Sequence, residues 1–122
     1  MRNRLTCVAA LTVLTALAGT AAADTTDVFV AVDEVAVAIE PSALTSDPRL
    51  ELTGVLDGGA APVTQLYAGA NATAAIEVTQ RCERLALLAM ARPGRYALEV
   101  VRTDTLNNGR YTMRVCRLAR VD

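Results

Sequence analysis

RPGRYALEVVRTDTLNNGRYTMRV, residues 92–115, is the stretch that decides the fold class. Pro93 presets φ and Gly94 accepts φ > 0, so Arg92-Pro93-Gly94-Arg95 predicts a type II turn. Tyr96, Leu98 and Val100 then alternate with Arg95, Ala97 and Glu99, the period of a half-buried strand. Residues 104–109 are rich in turn formers and include Asn108-Gly109, after which Tyr111, Met113 and Val115 resume the alternation. Two registers of this hairpin are open. A six-residue loop sets Leu98 against Val115, Val100 against Met113 and Glu99 against Arg114; a turn of Asn108-Gly109 alone sets Glu99 against Leu118. The longer loop gives the better cross-strand pairs and is the expected one.

Working toward the N-terminus, residues 80–92 are rich in Leu, Ala, Arg, Glu and Met, whose propensity favours a helix ending at Pro93. Read as a strand, the same segment puts Leu85, Leu87, Ala89 and Ala91 on the face of Tyr96, Leu98 and Val100, and strand is the expectation. Val28–Val32, Val35–Ile39, Leu50–Leu56, Val63–Ala68 and Thr73–Thr79 read as further short strands. Residues 41–49 read as a loop, and Asp57-Gly58-Gly59 ends the third strand. Seven or eight strands with turn signals every eight to twelve residues predict an all-β fold, a small antiparallel sandwich of jelly-roll type. Asn71-Ala72-Thr73 matches an N-glycosylation pattern too short to carry weight.

Residues 1–23 carry Arg2 and Arg4, an apolar run from Leu5 to Leu17 and small residues ending Ala21-Ala22-Ala23, the pattern of a cleaved secretory signal. The apolar run of about 13 residues is short of the roughly 20 needed to span a bilayer, so no membrane span is expected after cleavage before Asp24. Cys7 leaves with the signal. Residues 24–122 then form a single domain in the periplasm or outside a bacterial cell. There Cys82 and Cys116 are an even pair in an oxidising compartment, which suggests a disulfide. Closing a loop of about 35 residues would contribute roughly 3 to 4 kcal/mol. A simple meander would hold the two cysteines too far apart, so the chain bends, or residues 80–92 are helical, or the bond links two chains.

All twelve cationic residues are arginine, and the formal net charge is −1. Cleavage removes two arginines and no acids, giving −3, which is not the balance of a nucleic-acid binder. Residues 24–78 hold nine acids against Arg49 alone, whereas residues 79–122 hold nine arginines against four acids. Either the halves become neighbouring strands whose charges meet, or the surface is bipolar and takes a charged partner.

The chain has no histidine, the commonest general base, and no lysine for amine chemistry. Ser42 and Ser46, its only serines, sit in a proline-flanked loop without a nucleophile elbow. Carboxylate pairs remain as a catalytic option, that of a glycan hydrolase, yet Phe29, Tyr67, Tyr96 and Tyr111 are the only aromatic residues to stack a sugar. No enzyme activity and no cofactor are expected. Asp24, Asp27, Asp33, Glu34 and Asp57 are calcium candidates without the dense spacing that would be specific, so no metal site is expected. Arg95, Arg102, Arg110, Arg114 and Arg117 are candidates for an anion-binding patch toward an acidic glycan or lipid headgroup.

Leu52-Thr53-Gly54-Val55-Leu56, Leu66-Tyr67-Ala68-Gly69, Ala75-Ile76-Glu77-Val78, and the phrases Gly94-Arg95-Tyr96-Ala97-Leu98-Glu99-Val100 and Gly109-Arg110-Tyr111-Thr112-Met113-Arg114-Val115 carry a family likeness. Over residues 52–115 the chain resembles the bacterial pre-peptidase C-terminal domain, a β-sandwich appended to secreted hydrolases. In place of that family's Asp-rich strand this chain has Cys82–Met90. The resemblance implies a non-catalytic binding or accessory role toward a protein or cell-envelope partner.

Overall fold

The computed structural model describes residues 24–39 and 48–122. The expected signal, Cys7, Ser42 and Ser46 lie outside them. Five strands and one helix follow in order: β1 (Asp24–Ile39), β2 (Pro48–Leu56), β3 (Val63–Ala68), α1 (Ala72–Ala91), β4 (Tyr96–Asn107) and β5 (Arg110–Arg120). The fold is mostly β, as the alternation predicts. It is not the expected sandwich: the strands close into one barrel in the order β1-β2-β3-β5-β4. All pairings are antiparallel except β3 with β5, which runs parallel through Tyr67↔Tyr111 and Ala68↔Thr112. The helix lies between β3 and β4 in the chain.

The difference from a sandwich begins in β1. Asp33-Glu34 does not break the chain, so the two expected strands are one of 16 residues. Register shifts between Phe29 and Ala31 and between Val32 and Glu34 absorb an extra residue each. Such bulges bend and twist a strand. β1 therefore pairs with β4 through Asp24–Phe29 and with β2 through Phe29–Ile39, and serves both sides of the closure. At the second crossing a side chain on Gly54 would run into the Ala31 carbonyl. Pro48 and Arg49, expected in the loop, open β2.

Residues 72–91 are helical, which corrects both strand expectations for 73–79 and 80–92. Asn71 caps the helix, its Oδ1 accepting from the Ala74 backbone N–H at 2.8 Å. A side-chain cap of this kind satisfies one of the helix's orphan donors. Ala75, Thr79, Cys82, Ala86 and Ala89 are buried along one stripe of the helix, at the three- and four-residue steps that line one face. Their small size lets the helix axis lie close to the barrel. Gly69, just before the helix, is needed for the same reason, since a Cβ there would clash with the backbone of Ala75. The helical rise also brings Cys82 to Cys116 on β5, with a Cα–Cα distance of 5.3 Å and the disulfide formed. The cysteines that a meander would keep apart thus meet within one chain.

The hairpin from β4 to β5 turns on Asn108 and Gly109, both with positive φ (54° and 77°), the signature of a type I′ turn. The expected six-residue loop is absent. Neither simple register holds, because shifts near Arg102 move the pairing by one, and Glu99 faces Arg117 rather than Arg114 or Leu118. Arg92-Pro93-Gly94-Arg95 turns as expected, Arg95 N–H donating to the Arg92 carbonyl at 3.2 Å with φ at Gly94 of 77°. Phe29, Leu50, Leu52, Tyr67, Leu98, Val100 and Met113 fill the barrel against Cys82 and Ala86 of the helix. Each large apolar side chain so buried contributes about 1.5–3 kcal/mol.

Candidate functional site

Four of the five strands send a polar or aromatic side chain into one cluster. Asp27 of β1 is the only buried ionisable acid among the described residues, at 6% exposure. It shares the inward face with Phe29, and its Oδ2 accepts from the Tyr67 hydroxyl of β3 at 2.6 Å. The same oxygen accepts from Arg102 Nε of β4, also at 2.6 Å. Arg102 continues the inward alternation of Leu98 and Val100; its Nη1 donates to the Thr103 carbonyl at 3.0 Å. The guanidinium carbon lies 3.6 Å from the ring centroid of Tyr111 on β5, a cation–π contact.

Burial is the main reason that the Tyr67 phenol holds its proton well above the ordinary range, and the Asp27 hydrogen bond and charge add to it. Desolvation by itself would lower Arg102, but the bond and charge of Asp27 outweigh it and the net movement is upward. The cluster is thus an ion pair beside a neutral phenol, an arrangement that tolerates burial because each charge has a directed partner.

Above this cluster the short parallel contact of β3 with β5 opens into a cleft of about 190 Å³, lined among others by Gly69, Asn107, Asn108, Arg110, Tyr111 and Thr112. Tyr111 belongs to both, touching Arg102 and bordering the cleft. The Thr112 N–H donates to Thr103 Oγ1 at 3.3 Å, tying the two strands beside it. The lining residues carry two carboxamides, two hydroxyls, one aromatic ring and the guanidinium of Arg110, which has a partner of its own. These groups suit a ligand rich in hydroxyl and amide groups.

The five arginines singled out by sequence do not form one patch. Arg102 is the buried partner of Asp27, Arg114 pairs with Asp24 at 3.0 Å, and Arg117 pairs with Glu99. Arg110 borders the cleft and Arg95 lines a separate one beside Tyr96 and Arg120. Two of the pairs join the acidic half of the chain to the basic half, which is the first of the two readings of that asymmetry. Of the calcium candidates, Asp24 and Asp27 are spent on arginines, while Asp33, Glu34 and Asp57 are exposed. Among the described residues no group of three or more His, Cys, Asp or Glu could hold a metal ion, and no helix is long and apolar enough to cross a membrane.

Sequence reading had each member of the cluster in hand under another heading: Asp27 as a calcium candidate, Arg102 as an anion ligand, Tyr67 and Tyr111 among the few aromatic residues that could stack a sugar. The signal available was period two, since Leu98, Val100 and Arg102 share a face, and that face is the interior. What was missing was the long-range pairing that joins four strands. No protein-family model, curated protein or solved structure matches the chain.

Proposed function

We propose that the chain is a non-catalytic exported binding module that holds a hydroxyl-rich cell-envelope glycan in the cleft between β3 and the β4–β5 hairpin. The observation that carries this is the Asp27–Arg102–Tyr111 stack beneath that cleft. It fixes the one aromatic ring of the cleft from below, so that the ring is presented in a single orientation without an ordering cost on binding. Five-stranded Greek-key barrels of the oligonucleotide/oligosaccharide-binding kind take their ligands on the face of the second and third strands and at the loops joining strands one to two and four to five, an analogy of fold that supports a location beside β3 and the β4–β5 loop and not the ligand. The negative formal charge speaks against a polyphosphate strand, and the amide and hydroxyl lining supports a sugar.

Co-sedimentation with purified, insoluble envelope polysaccharide tests the reading. The protein is expected to partition with the polysaccharide, and N107A/R110A to weaken that binding about tenfold, the loss of roughly 1.4 kcal/mol of polar contact. Equal partitioning of wild type and variant, or none by either, overturns it.

A further inference from the structure

We infer that the chain carries a second, anionic-ligand site at the far end of β4 and β5, built by Arg95 and Arg120 for a phosphate group. Gly94, Arg95, Tyr96, Arg120 and Val121 line a cleft of about 340 Å³, larger than the one beside Tyr111. The register explains their meeting: Tyr96 pairs with Arg120, and the Val121 N–H donates to the Arg95 carbonyl at 2.9 Å. The turn that starts β4 is thereby clamped to the end of β5.

Among the described residues Arg81, Arg84, Arg92, Arg95 and Arg120 have no carboxylate within 4.0 Å, and of these Arg95 and Arg120 line one cleft together. Arg49, Arg102, Arg114 and Arg117 each have a carboxylate within 4.0 Å. Arg95 and Arg120 have none among the described residues, although Asp122 follows Arg120 by two positions. Arg92, at the other end of the turn, is exposed and likewise without a carboxylate. It adjoins the C-terminus of α1, whose dipole gives it a structural use; no such use applies to Arg95 and Arg120. Two arginines lining one concavity bring to it the donor type that chelates phosphate. Tyr96 adds a ring and a hydroxyl at the wall.

A phosphate group could arrive free or on a lipid headgroup, and the test separates the two. Inorganic phosphate is titrated into the protein at constant ionic strength while backbone and arginine side-chain NMR signals are followed. Vesicles of phosphatidylglycerol, with phosphatidylcholine as control, are offered in parallel. Saturable shifts at Arg95, Tyr96 and Arg120 are expected, with affinity roughly tenfold weaker in R95Q/R120Q. Selective uptake onto phosphatidylglycerol that phosphate competes away assigns a headgroup; phosphate binding without uptake assigns a soluble ligand. Shifts that follow ionic strength alone, or that persist in R95Q/R120Q, overturn the inference. Both arginines are exposed, so the variant keeps the fold, and its glycan cleft is untouched. Failure here leaves the glycan reading standing, and the reverse also holds.

Discussion

Removing one oxygen from Tyr67 should change how stability depends on alkaline pH. The phenol is fully buried and donates to Asp27 at 2.6 Å, and its folded-state pKa lies above the unfolded value of about 10. A group raised on folding contributes stability that is complete below the unfolded pKa and is lost as pH rises toward the folded one. Above about pH 10 the unfolded chain therefore releases a proton that the native state keeps, and stability falls by about 1.36 kcal/mol per pH unit, or about 2.7 kcal/mol by pH 12. Tyr67→Phe removes a hydrogen bond to a charged acceptor, costing about 1.5–3 kcal/mol at neutral pH. It also removes the alkaline loss, so the gap between wild type and variant should close as pH rises. The chain has no lysine to titrate over the same range. Urea unfolding between pH 7 and 12, with phenolate absorbance read on the native baseline, measures both quantities. A gap that stays constant to pH 12, or a Tyr67 phenolate step near pH 10 in the folded protein, refutes the account of the cluster.

Asp27→Ala leaves the Arg102 guanidinium buried at 11% side-chain exposure without its carboxylate and should cost about 3–5 kcal/mol in urea unfolding; D27L/R102M should recover most of that. Replacing both Cys82 and Cys116 with alanine opens a loop of sequence separation 34. The expected loss is about 3.8 kcal/mol, which reductant should reproduce on wild type and leave unchanged on the variant. Thr79 is buried with an Oγ1 that has no hydrogen-bond partner, so Thr79→Val should stabilise by about 1 kcal/mol, seen as a raised Tm. Gly69→Ala should lower Tm, because its Cβ meets the Ala75 backbone and the helix cannot yield there without leaving the barrel.

The parts of the fold that were legible are those fixed by neighbours in sequence. Pro93-Gly94 and Asn108-Gly109 are both turns, and the faces of Leu98, Val100 and Met113 are inward as read. The misreadings share a cause, which is that competing local signals were resolved without the long-range pairing that decides between them. Ile76, Val78 and Thr79 are β-branched and invite a strand. They sit in a segment whose alanines, capped by Asn71, favour helix, and the stripe from Ala75 to Ala89 buries only as a helix. Asp33-Glu34 suggests a break, yet a bulge accommodates it, because the outward side chains stay in water while β1 continues. The hairpin register was open between two options, and neither could foresee shifts set by the inward turn of Arg102 toward Asp27. The irregularity of β4 thus falls at Arg102, the residue that joins the cluster.

That coupling gives the buried pair a purpose beyond its net energy. An ion pair in a barrel interior returns little stability over apolar residues of the same volume, so D27L/R102M could fold nearly as well. It does, however, impose geometry: Asp27 must meet Tyr67 and Arg102 on one oxygen, and Arg102 must lie flat against Tyr111. These constraints hold β1, β3, β4 and β5 in one register at the only place where β3 and β5 touch. An apolar replacement would keep the core and release the Tyr111 ring. If the cleft above is a binding site, D27L/R102M should retain most of its unfolding free energy while losing ligand affinity, and that separation distinguishes a platform for binding from a staple for folding.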